Sequence, residues 1–153
     1  MRCSACPEWR TTRGLSGQER TLNRQRAERY LYAILELEQA GVVPIRARLC
    51  DRFNSSRAAV DGNVRRLARS GYLRAEDDRV LALTSDGRTV ARTLLRKLRV
   101  AERFLAALGI DDATIRGEAE QWALVMSDDV AEALSDLFNG IAPCPFDHPR
   151  SVR

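Results

Sequence analysis

The sequence has one lysine, Lys97, among its 25 basic residues, and one histidine, His148. His148 lies in a tail where a turn role is the simpler reading, no histidine–carboxylate pair for proton transfer stands out, and no glycine-rich phosphate loop is present, so the usual machinery of a small enzyme is missing. Charges interrupt every apolar run well before the roughly 18 residues that a membrane span needs, and nothing resembles a secretory leader. These absences imply a cytoplasmic chain without membrane contact. Four cysteines, Cys3, Cys6, Cys50 and Cys144, are too few and too scattered for a disulfide framework. A length of 153 residues allows a real core and excludes a large two-domain enzyme.

Arginine is what the sequence has in quantity, 24 residues of it. Its planar fork of donors suits phosphates and guanine edges, although a GC-rich coding sequence would produce the same bias. Position separates the charge further. Residues 1–29 carry +4, residues 30–110 carry +6 and residues 111–153 carry −6, so one part of the chain suits a polyanion and the other does not.

The pattern along the chain predicts a mainly α fold: an N-terminal winged helix-turn-helix followed by an all-helical dimerisation domain. Residues 1–22 read as a flexible basic arm, 23–90 as the winged unit, 91–140 as the dimerisation domain and 141–153 as a proline-rich tail. Tyr30, Leu31, Ile34, Leu35 and Leu37 recur at helical spacing until Gly41. Pro44 suits the start of a second helix, with Ile45, Leu49 and Phe53 inward. Asn54, Ser55 and Ser56 form a turn and an N-cap, and a third helix runs from Arg57 to Arg69 over Val60, Val64 and Leu67. Tyr72-Leu73 and residues 80–83 flank the polar segment 76–79, which is a hairpin pattern. A long fourth helix, capped by Thr84 or Ser85, carries Gly87 in its first turn and ends at Gly109. Two shorter helices, about 113–126 and 127–138, are expected to turn Ile115, Ala119, Trp122 and Met126, then Val130, Leu134 and Leu137, inward.

Three helices and a two-stranded wing have a specific physical use, because a helix of the third one's size enters the major groove of double-stranded DNA while its neighbours lie on phosphates. Arg46 and Arg48 on the second helix, with Ser55, Ser56 and Arg57 at the start of the third, are the expected backbone contacts. Ala58 and Ala59 are candidate readers of thymine methyls and Asn63 of adenine; Arg65, Arg66 and Arg69 lie further along, and Arg79 sits at the wing tip. Asp61 opposes phosphate, and Gly62 implies a close approach either to the second helix or to DNA. The acidic C-terminal half keeps an apolar stripe that includes Trp122. A second copy would cover it, giving a homodimer and a palindromic operator; burial within one chain is the alternative.

The segments YLYAILELE (30–38), PIRARL (44–49), LTSDGR (83–88), RKLRVAER (96–103), EAEQW (118–122) and VMSDDV (125–130) resemble the diphtheria toxin repressor family of iron- and manganese-dependent winged-helix repressors. The resemblance covers about residues 24–149 and implies a two-domain form without the family's SH3-like third domain. It implies a dimeric repressor, and it implies iron or manganese ligands at definite places. At the primary site the resemblance puts Tyr30 on the first helix, then Glu120, Ala123 and Leu124 on the fifth; at the ancillary site it puts Leu98, Glu102 and Arg116. Two glutamates and a phenol are a poor set for these ions, so the expected metal sites are degenerate and no cofactor is assigned. An iron- or manganese-responsive repressor with an altered site, and a protein-interaction module that keeps the fold, are the alternatives. Glu102 reads otherwise as a surface acid paired with an arginine. The resemblance supports Arg46, Arg48, Ser56 and Ala58 as DNA contacts and places Gly62 where better-known members carry a base-reading glutamine. Cys3 and Cys6 have zinc-knuckle spacing but make half a site, which Cys144 or His148 would have to complete; neither zinc nor an iron–sulfur cluster is assigned.

Overall fold

A computed structural model describes residues 16–76 and 79–138. Six helices and one hairpin follow one another: α1 (Gly17–Gln39), α2 (Arg46–Phe53), α3 (Arg57–Arg69), β1 (Leu73–Glu76), β2 (Val80–Leu83), α4 (Ser85–Ala107), α5 (Asp112–Val125) and α6 (Asp128–Phe138). The first helix starts earlier than the expected position near Asn23, so residues 17–22 of the expected arm are helical. A capping box explains this: the Ser16 hydroxyl accepts from the Glu19 amide at 3.3 Å, and Glu19 accepts from the Ser16 amide at 2.8 Å. The same bonds hold the Glu19 carboxyl below its usual range. Residues 1–15 and 139–153, with Cys3, Cys6, Cys144, His148 and the proline-rich tail, lie outside the described residues.

Local chemistry sets the remaining boundaries. Gly41 takes φ 68°, which lets the Val42 amide reach back to the Leu37 carbonyl at 2.9 Å and closes α1. Asn54 ends α2 in the left-handed region at φ 44°, a conformation its short amide side chain tolerates. Ser56 caps α3 by accepting from the Ala59 amide, and Thr84 caps α4 by accepting from the Gly87 amide at 3.1 Å. The hairpin is antiparallel, with Leu73 opposite Leu83 and Glu76 opposite Val80. Ile45 bridges to Val80, and the Leu81 amide donates to the Pro44 carbonyl at 2.9 Å, which ties the wing to the entrance of α2.

Two clusters of buried side chains lie side by side. The first joins Leu31, Ile34 and Leu35 of α1 to Leu49, Val60, Val64, Leu67 and Leu81, the core of the winged unit. The second joins Tyr32 to Leu94, Leu98, Ala101 and Leu105 of α4 and to Ile115, Ala119 and Ala123 of α5. Each fully buried Leu or Ile contributes roughly 1.5–3 kcal/mol relative to exposure. The changeover falls between Ala91 and Leu94, inside one continuous helix. Three residues expected inward are exposed in the single chain: Trp122, Val130 and Leu137, the last with 65% of its surface free.

Candidate nucleic-acid interface

The exposed face of α3 carries Ala58, Gly62, Arg65 and Arg69, spaced by four, three and four residues, so one side of the helix looks outward. Arg57, Ala59 and Arg66 are exposed beside them. The opposite side is Val60, Val64 and Leu67, none more than 3% exposed, and this fixes the helix against the core. At Gly62 an added Cβ would have no atom within 4 Å. The α2 side of the two readings of this glycine is thereby removed.

The other expected DNA residues divide by what already holds them. Arg46 is half-buried, with its Nε 3.0 Å from Asp61 Oδ1, so the residue expected to oppose phosphate pairs with one expected to bind it. Arg48 is exposed and donates to the Val43 carbonyl. Ser55 is half-buried and its hydroxyl donates to the Phe53 carbonyl at 3.0 Å, whereas Ser56 is exposed at the helix start. Asn63 is half-buried and lines a cleft of about 600 Å³ with Gln25, Arg29, Phe53 and Leu124, which sets it apart from the outward row of Ala58 and Arg65. Arg79 is exposed on the wing.

The positions that the resemblance assigned to metal do not form a site. Tyr30 is buried, its ring stacked on Phe53 with centroids 4.5 Å apart. The residue that meets Glu120 is its neighbour Arg29, whose Nε is 2.8 Å from Glu120 Oε1. Ala123 is buried and offers no donor atom, and the Leu124 carbonyl accepts from Gln25 Nε2 at 3.4 Å. At the ancillary positions Leu98 is buried in the second core and Arg116 is exposed. Glu102 is buried at 4% exposure, not on the surface as the alternative reading had it. Among the described residues no group of three His, Cys, Asp or Glu side chains could hold a metal ion. The donor set therefore does not fit iron or manganese.

The sequence pattern assigns no role to Arg29, and none to Lys97 beyond its being the one lysine. Arg29 and Glu120 are 91 residues apart, and no local spacing announces the pair. Lys97 Nζ donates to the Met126 carbonyl at 2.7 Å and lies 2.9 Å from Asp128 Oδ1, fastening α4 to the junction of α5 and α6. The hydrogen bond from Lys97 to the Asp128 carboxylate holds that carboxyl below its usual range, while burial pushes the nearby Glu28 carboxyl up.

Residues 24–81 match the iron dependent repressor N-terminal DNA binding domain, and residues 84–151 match the iron dependent repressor metal binding and dimerisation domain. The diphtheria toxin repressor of Corynebacterium diphtheriae is 40% identical over 123 residues, 80% of this chain and 54% of that protein. The iron-dependent repressor IdeR of Mycobacterium tuberculosis H37Rv is 41% identical over 123 residues, with the same coverage. The chain thus spans about half the length of these curated relatives. Among solved structures, the manganese regulator SloR superposes with a TM-score of 0.67 at 28% identity, covering 78% of this chain and 56% of that one. A hypothetical protein from Sulfolobus solfataricus shares the fold at a TM-score of 0.62 and 21% identity, covering 79% of this chain and 93% of its own. With both halves matched in order, and the winged and helical units folded as described, the chain belongs to the iron-dependent repressor family.

Proposed function

We propose that this protein is a homodimeric repressor of transcription that binds a palindromic site in double-stranded DNA, with no enzymatic activity and with its metal sites lost. The exposed row on α3 carries the reading: Ala58, Gly62, Arg65 and Arg69 face outward from a helix whose other side is locked into the winged core. Ala58 reads bases by apolar contact, and Arg65 is the more versatile partner for guanine edges and phosphate. Arg48, Ser56 and Arg57 bind backbone oxygens at the start of α3, where free amide groups add to the attraction. Arg46 stiffens the α2–α3 pair through Asp61 and contributes to phosphate binding from there. Ser55 and Asn63 shape the turn and the cleft behind α3, and Arg79 reaches phosphate from the wing.

Selection of bound DNA from a random pool, run in parallel with chelator and with added iron or manganese, tests the reading. An enriched palindrome common to all conditions is the expected result. Replacing Arg48 or Arg57 by Ala then weakens binding across sequences and lowers the slope of log affinity against log salt by about one each. Salt-dependent binding with no enriched sequence would leave a module that keeps the fold without the regulatory reading. An enriched site found only with metal would replace it by the metal-responsive one.

A further inference from the structure

The contact between α1 and α5 has a cation of its own. The Arg29 guanidinium bridges three elements: its Nε lies 2.8 Å from Glu120 Oε1 on α5, its central carbon sits 5.7 Å from the centroid of Phe53 at the end of α2, and its backbone belongs to α1. Four residues earlier on α1, Gln25 Nε2 donates to the Leu124 carbonyl on α5. Phe53 in turn stacks on Tyr30 and immediately precedes the turn into α3. A side chain on α5 is thus joined through one guanidinium to the residue on which the α2–α3 turn is seated.

We infer that Arg29 is a covalently built-in cation that clasps the helical domain to the winged unit through Glu120 and Phe53, and so fixes the bearing of α3 without any bound metal. The inference rests on the DNA-binding reading above and names the residue that makes its metal independence possible. An ammonium or guanidinium tethered to the chain cannot be chelated or titrated away in the neutral range, so the clasp is permanent where a bound divalent ion would come and go. Arginine suits the place better than lysine, because its flat fork can meet the carboxylate and the Phe53 face together. Both partners are partly exposed, 46% for Arg29 and 29% for Glu120, so the pair makes a modest contribution to fold stability and its effect is expected in how the two units are set.

Affinity for the selected palindrome is measured for the full chain, with chelator and with added manganese, in the wild type, Arg29→Met, Glu120→Gln, Arg29→Lys and the exchanged pair Arg29→Glu with Glu120→Arg. The wild type is expected to bind equally in both conditions. Arg29→Met and Glu120→Gln each weaken binding about two- to fivefold, their combination costs no more than either alone, and Arg29→Lys and the exchanged pair recover part of the loss. Hydrogen exchange of the amides at 25–30 and 120–126, followed without DNA, rises in Arg29→Met while protection in the rest of α4 is unchanged. Wild-type binding abolished by chelator, or Arg29→Met with wild-type affinity and exchange, overturns the inference. If no DNA is selected at all, the function proposed above fails, and the exchange measurement still decides the clasp.

Discussion

A glycine in the middle of a helix lowers its stability, and Gly62, on the helix proposed to read DNA, is not there to make room within the chain. The position is exposed, and an added Cβ would meet open space. Alanine there would stabilise α3 by roughly 0.5–1 kcal/mol and raise the melting temperature by about 1–4 °C. Of the two approaches that the sequence allowed, only one toward DNA remains. Gly62→Ala is therefore expected to melt higher than the wild type and to bind the selected site at least about threefold more weakly, as the methyl group holds the helix back from the groove. Calorimetry and a DNA titration on the same preparation check both halves; higher stability with unchanged affinity removes the close approach. The neighbouring Asp61 illustrates the other limit of reading residues singly. Its charge looked adverse to DNA binding, but the partner that neutralises it, Arg46, is on another helix. The primary metal position teaches the same point, since a one-residue difference of facing puts Arg29 and not Tyr30 against Glu120.

The elements were legible wherever a cap coincided with apolar periodicity. Ser56 and Thr84 open α3 and α4 at the residues their side chains cap, and Gly41, Gly71 and Gly109 all take positive φ just beyond helix ends. The start of α1 escaped because its Ser16–Glu19 box is followed by Gln, Glu and Arg residues with no apolar stripe, so only half of the usual signal is present. Gly87 was legible as a first-turn residue, but its reason lies in packing. A Cβ at Gly87 would stand 2.1 Å from the Tyr72 carbonyl oxygen, a backbone atom that also accepts from the Thr84 amide at 3.1 Å. The first turn of α4 is thereby seated on the chain entering the wing, and neither side can yield cheaply. Gly87→Ala should destabilise the protein by about 1–3 kcal/mol, lowering the melting temperature by about 2–4 °C per kcal/mol, with the wing displaced relative to α4. Thermal unfolding followed by circular dichroism checks this, and a variant that melts like the wild type would show that the close approach is not a constraint.

At the scale of the whole molecule, charge and apolar surface are segregated in complementary ways. The winged unit is basic and presents arginines; residues 111–153 carry −6, yet α5, α6 and the turn before α5 leave Ile110, Trp122, Val125, Val130 and Leu137 exposed, Val125 at 75%. An acidic surface is repelled by DNA, so the proposed DNA face and this apolar face suit different partners. Dimerisation through the acidic half would cover the apolar side chains and leave both α3 helices outward, whereas pairing through the arginines would stack like charge and bury the reading surface. Val125→Asp and Leu137→Asp each place a charge in the covered patch without disturbing a side chain that the single-chain core uses. Each is expected to weaken dimerisation about tenfold or more, seen as a fall toward the monomer mass in light scattering at micromolar protein, with the circular dichroism spectrum retained. Binding to the palindrome should fall with dimerisation and by no larger a factor, because each winged unit loses the effective concentration that its twin provides while its own contacts to a half-site are unchanged. A Val125→Asp protein that keeps the dimer mass and the wild-type affinity would place the contact between subunits elsewhere, on a surface that does not include α5.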